Sequence, residues 1–130
     1  MAEGYDPNRS KISDDKLQEF LRKELSRDLL EIPGIGPSAV KKLAEGEREE
    51  DQITNAFQLV GKFLLLRGPD PPGKELSSIE QCDRFWLFLK DKGISSHRSA
   101  VVRAIAEKCN IMISSELYDP TAYDDDDDEE

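Results

Sequence analysis

From Ser13 onward, apolar residues recur at intervals of three and four, in runs separated by stretches that carry glycine, proline or acidic residues. That spacing puts side chains on one face of a 3.6-residue helix, so the chain must bury its apolar faces by packing short helices against one another. The first run is Leu17, Phe20, Leu21 and Leu25; Ser13 is a good N-cap for it, and Asp14 and Asp15 suit its positive end. Leu29, Leu30 and Ile32 make a short apolar turn that stops at Pro33, because the residue before a proline is disfavoured in helix. Pro37 restarts the helix at a position it favours, Val40, Leu43 and Ala44 form the inward face, and Gly46 closes it. A longer helix is predicted from about Gln52 to Arg67, another near Ser78 to Lys92 with Gly93 past its end, and a last one from an N-cap at Ser95 or Ser96 through Ile113. Five helices and no strand are expected, an all-α chain.

The ends differ from this body. Residues 1–12 are polar, contain Gly4 and Pro7, show no apolar period and are expected as a flexible N-terminal arm. Residues 13–114 are expected as one helical domain, since 130 residues hold one core and no second full domain. Residues 115–130 are expected as a disordered acidic tail. The formal net charge of -10 argues at first against nucleic acid, but eight of the 28 acids lie in the last twelve residues, which carry no base. The remaining 20 acids face 18 bases, so the body is near neutral and any positive potential must be local.

Several classes of function are disfavoured. Cys82 and Cys109 fall within apolar helical patterns and read as reduced, packed thiols of an intracellular protein. The longest apolar run, Phe63 to Leu66, is far short of the roughly 20 residues of a membrane span, so no membrane insertion is expected. His97 is the only histidine, so neither a metal site nor a histidine-based triad has partners at the required spacing. No enzyme, cofactor or metal is expected. Trp86 and Phe88 stand at helical spacing among Leu87 and Leu89 and read as core rather than as a platform for bases.

One segment carries recognisable chemistry. Ile32-Pro33-Gly34-Ile35-Gly36-Pro37-Ser38-Ala39-Val40-Lys41-Lys42-Leu43 puts a Gly-Ile-Gly turn directly before a helix start, giving a helix-hairpin-helix over residues 29–45. Glycines allow positive φ and let a phosphate approach without meeting a Cβ, while the first N–H groups of the new helix point outward with the positive end of its dipole. Ile35 is expected to turn inward as an anchor. Lys41 and Lys42 on the next turn add local charge that the whole-chain count conceals. The bland alternative is a tight connection that needs glycine for steric reasons only.

With these residues in place, the chain resembles the barrier-to-autointegration factor family of small dimeric helical chromatin proteins. The resemblance spans about residues 14–113 and rests on Leu30 to Leu43, the Phe57-Gln58-Leu59-Val60-Gly61-Lys62-Phe63-Leu64-Leu65-Leu66 run, Phe85 to Asp91 and Gly93 to Arg98. It implies a compact five-helix, SAM-like domain in the nucleus. As a homodimer this domain would bind and bridge double-stranded DNA without reading its sequence, with nuclear-envelope or chromatin proteins as further partners. The contacts it implies are Pro33, Gly34, Gly36, Ser38 and Ala39 at the hairpin, Lys16 at the first helix, and Ser95, Ser96 and His97 before the last; Ile35, Lys41, Lys42 and Arg98 beside them complete the expected DNA-binding set. The dimer contact it implies comprises Phe57, Val60, Gly61 and Leu64, although the same broad apolar face also suits a central core helix. The chain is a divergent match. His97 stands where the family has lysine, with Arg98 beside it to compensate; Pro37 removes one N–H from the anion site; and the 68–81 connection is about ten residues longer. A competing class is an acidic adaptor for histones or other partners, with a purely structural hairpin.

Overall fold

The computed structural model describes residues 4–67, 78–113 and 118. Among these the chain forms five α-helices and no strand: α1 (Asp14–Arg22), α2 (Pro37–Ala44), α3 (Ala56–Leu65), α4 (Ser78–Asp91) and α5 (Arg98–Met112). Three 3-10 turns, Pro7–Arg9, Leu29–Glu31 and Glu49–Asp51, join or precede them. No helix among the described residues is long and apolar enough to cross a membrane.

α5 is the centre of the packing and lies against α1, α3 and α4. Its buried residues run almost without a break from Ser99 to Cys109, so it has no broad solvent face. Phe63 of α3 and Phe85 of α4 meet edge to face with centroids 5.3 Å apart, a favourable aromatic geometry. Gln81 is fully buried beside them, and its amide donates to the Phe63 carbonyl at 2.9 Å, which satisfies both groups away from water. Cys82 and Cys109 are buried and form no disulfide, in keeping with their apolar settings.

Local capping chemistry explains most of the boundaries. Ser13 Oγ accepts the Lys16 N–H at the start of α1. α3 begins at Ala56 rather than near Gln52. Asn55 caps it by accepting the Gln58 N–H at 2.9 Å, and the Gln58 side chain accepts the Thr54 N–H in return. Residues 52–55 stay extended, with the Ile53 N–H donating to Leu43 and the Ala56 N–H to Arg27. α1 stops at Arg22, and its final carbonyls are taken by a side chain from α5. The Lys108 ammonium, on a residue 2 % exposed, donates to the carbonyls of Phe20 (2.6 Å), Leu21 (3.1 Å) and Lys23. A cation at the negative end of a helix is favourable there. Burial, and then the charge of Lys23, hold the Lys108 ammonium below the usual lysine range.

The N-terminal arm departs from expectation. Residues 4–10 form a strap across α4 and α5 rather than a flexible segment. Tyr5 and Ser10 are buried; the Tyr5 N–H donates to Asp83, the Asp6 N–H to Ser99 Oγ, and Arg103 to Ser10 Oγ. Gly4 fits because a Cβ there would lie 2.5 Å from Asp83 Oδ1. Burial pushes the Asp83 carboxyl above its ordinary range, and the bond from Tyr5 moderates the rise. The strap has no apolar period because only Tyr5 and a few polar groups anchor it, and their partners lie more than 70 residues away. Of the expected tail, Tyr118 is buried with its hydroxyl 3.0 Å from that of Tyr5. Residues 115–117 and 119–130 lie outside the described residues, as does the proline-rich 68–73 connection.

Candidate nucleic-acid interface

The Gly-Ile-Gly turn is held by its two isoleucines. Ile32 and Ile35 are both buried, and the Ile35 N–H donates to the Ile32 carbonyl at 3.1 Å, which closes the turn against the core. Ahead of it, Leu29–Glu31 is a single 3-10 turn capped by Asp28, whose carboxylate accepts the Leu30 N–H. Behind it, Gly36 is the N-cap of α2 and Pro37 its first residue. Gly36 offers no side-chain cap, so the N–H groups of Ser38 and Ala39 in the first turn have no acceptor among the described residues.

The two glycines differ in role. Gly34 has φ +94°, and a Cβ there would lie 2.9 Å from Val101 Cγ2 and 3.1 Å from the His97 carbonyl, so glycine is required for the turn to sit on α5. Gly36 has an extended φ of -112°, and nothing lies within 4 Å of where its Cβ would be. The expectation that both glycines admit a ligand therefore narrows to Gly36; Gly34 serves the packing.

A groove of about 730 Å³ opens beside this turn. Its walls come from four places: the end of the strap with the residues leading into α1 (Ser10–Ser13), α1 with its C-cap (Lys16, Glu19, Phe20, Lys23), the hairpin (Leu30–Gly36) and the start of α5 (His97, Ala100). Lys16, the Pro33–Gly36 turn and His97, expected as contacts from three distant parts of the chain, thus line one concavity. The floor is apolar, with Phe20, Ile32 and Ile35 buried, and the rim is charged. Lys11 and Lys16 are exposed and make no ion pair among the described residues, whereas Lys23 lies 3.9 Å from Glu31. Glu31 also accepts from Ser26 Oγ at 2.8 Å, and Glu19 adds a second acid to the rim.

His97 is the N-cap of α5, not a residue of its first turn, and the expected caps Ser95 and Ser96 stay in the preceding loop. It adopts a left-handed conformation with φ 62° and makes no side-chain cap.

Other expected contacts stand apart from the groove. Ser38, Ala39, Lys41 and Lys42 follow it along α2, with Lys41 exposed and Lys42 lying against Gly93, whose φ is +91°. Ser95 and Ser96 are exposed but do not line it. Arg98, expected to compensate for His97, is committed to the fold instead. Its guanidinium lies 4.3 Å from the Trp86 ring centroid and donates to the Ile94 carbonyl at 2.6 Å, while its Nε is buried without a partner.

The expected dimer residues also separate. Phe57 is 51 % exposed, Gly61 faces open space and Leu64 is half-buried, but Val60 is buried within the single chain and belongs to the core. Leu65, 70 % exposed, continues the Phe57–Gly61 line at the next i+4 position and was not among the expected contacts. Lys11 and Lys23 were likewise not expected at the groove. Lys11 lay in a stretch without period, and no local signal brings residue 11 beside residue 34. Comparison of the chain with known proteins returned no match to a family model, a curated protein or a solved structure.

Proposed function

We propose that the chain binds double-stranded DNA through its phosphate backbone, independent of sequence, using the groove and the start of α2. The observation that carries this reading is the meeting, in one groove, of Lys16, the glycine turn and His97, next to the N–H groups of Ser38 and Ala39; among the described residues Lys16 has no ion pair and those N–H groups no acceptor. Main-chain donors at a helix start, supplemented by lysine, recognise an anion and carry no base information. In this reading the 29–45 segment is a helix-hairpin-helix whose first arm is the 3-10 turn, within a SAM-like domain.

The Phe57, Gly61, Leu64 and Leu65 face of α3 is the surface for a second copy, since exposed apolar side chains at helical spacing on one face favour association. A dimer carries two grooves and bridges two duplex segments. A nuclear, chromatin-associated role, with chromatin or nuclear-envelope proteins as further partners, follows from the family resemblance.

The test is a titration with random-sequence duplex at low and moderate salt, comparing the parent with Gly36→Glu. The open space at Gly36 lets that variant fold while placing negative charge at the helix start. Affinity should fall at least about tenfold, and a steep salt dependence should mark the parent. A folded Gly36→Glu protein that binds as tightly as the parent removes the groove from DNA binding.

A second reading has one observation in its favour. The apolar groove floor with Glu19 and Glu31 on its rim also suits a basic, partly apolar peptide such as a histone tail. In that case the chain is an acidic adaptor, duplex binding is absent at moderate salt, and peptide binding occupies the groove instead.

A further inference from the structure

Building on the proposed DNA-binding role, we infer that the N-terminal strap supplies a phosphate contact of its own, the ammonium of Lys11, and so forms a working wall of the groove. Three independent observations converge on this residue. Lys11 lines the same groove as the glycine turn, is exposed, and makes no ion pair or hydrogen bond among the described residues. Many other cations of the chain are engaged: Lys92 with the carbonyls of Glu45 and Asp51, Arg98 on Trp86, Arg103 with Glu107 and Ser10, and Lys108 at the end of α1.

The backbone on either side fixes where Lys11 can point. Ser10 is buried and held by Arg103, and Ile12 is partly buried against the core, so the side chain between them is directed outward. Lys11 itself has φ 52°, the left-handed region that glycine and asparagine occupy far more readily than lysine. A chain that required only the turn would be better served by either of those residues. A lysine there brings a charge that the turn itself does not need, and strain of this kind concentrates at binding sites.

On the DNA-binding reading the ligand is a run of phosphodiesters, met by Lys11 and by Lys16, which lie on different segments that both line the groove. On this inference the strap is part of the site. Its anchors, Tyr5 on Asp83 and Arg103 on Ser10, position Lys11 as well as cover the core.

The test uses the full chain, with Lys11→Asn to remove the charge while keeping a residue tolerant of the left-handed backbone, and Lys11→Arg to restore it. Duplex affinity is measured from about 50 to 200 mM salt. Thermal melts show whether each variant keeps the parent fold. Lys11→Asn should bind about threefold to tenfold more weakly at the low-salt end. Its log–log salt slope should be shallower by about 0.9, the value of one released counterion. Lys11→Arg should recover both.

Unchanged affinity in Lys11→Asn overturns the inference, and so does weaker binding with an unchanged slope, which marks a structural effect. If Gly36→Glu still abolishes binding in either case, the DNA-binding reading survives and only the strap contact is lost. If neither variant alters binding, both fail together.

Discussion

α5 and α3 are both rich in apolar residues, yet they meet their surroundings in opposite ways. α5 is enclosed by α1, α3, α4 and the strap, and even its lysine at position 108 is drawn inside, where three carbonyls at the end of α1 accept its hydrogen bonds. α3 packs on one side only and leaves Phe57 and Leu65 more than half exposed. An enclosed helix must find internal partners for every polar group, whereas a peripheral helix can leave apolar surface for another chain.

The largest effect expected from this contrast is at Lys108. Lys108→Met keeps the apolar stem but leaves the last carbonyls of α1 without donors in a buried setting, at a cost of about 2–4 kcal/mol in urea denaturation. A variant as stable as the parent would mean that water caps α1 and that the enclosure of α5 is incomplete. Next in size is the pair of hairpin glycines. Gly34→Ala combines left-handed strain with contact on Val101 and should destabilise by about 2 kcal/mol or more, whereas Gly36→Ala should cost less than about 1 kcal/mol as a weaker N-cap. Equal losses at the two positions would erase the distinction between packing and ligand access.

The exposed side of the comparison is tested by Phe57→Asp combined with Leu65→Glu. Light scattering should show twice the 14.7 kDa chain mass for the parent and the single mass for the variant, while the helical circular dichroism signal is retained. A parent that is monomeric at micromolar concentration would leave the α3 face without a second copy.

The smallest effect concerns Cys109 within α5. Burial pushes its thiol up to about 11 from an ordinary value near 9. The folded state therefore favours the protonated thiol; that contribution is whole below pH 9 and is lost as pH rises through about 11. At pH 8 the thiol should react with a labelling reagent only at the rate of global unfolding, and rapid labelling of folded protein would place Cys109 outside the enclosed core.

Much of this architecture is legible along the chain. Ser13 and Gly93 mark helix ends because a cap acts on backbone groups within a few residues, and Ile35 is a recognisable anchor because it sits in a glycine turn with a defined inward side. The helical period carries the expected start of α3 about four residues too far toward Gln52, because the pairings of Ile53 with Leu43 and of Ala56 with Arg27 hold residues 52–55 extended.

The candidate site divides along the same line. Sequence by itself determined the all-helical class, the glycine turn before a proline-initiated helix and the near-neutral body, all of which depend on residue type and local spacing. Tertiary structure alone decided that Gly34 serves packing while Gly36 faces open space, that Arg98 is spent on Trp86, that Val60 belongs to the core, and that Lys11 stands beside the hairpin. Each of these outcomes depends on a neighbour far away in the chain, and close packing rather than local preference settles which side chains are left free to meet a ligand.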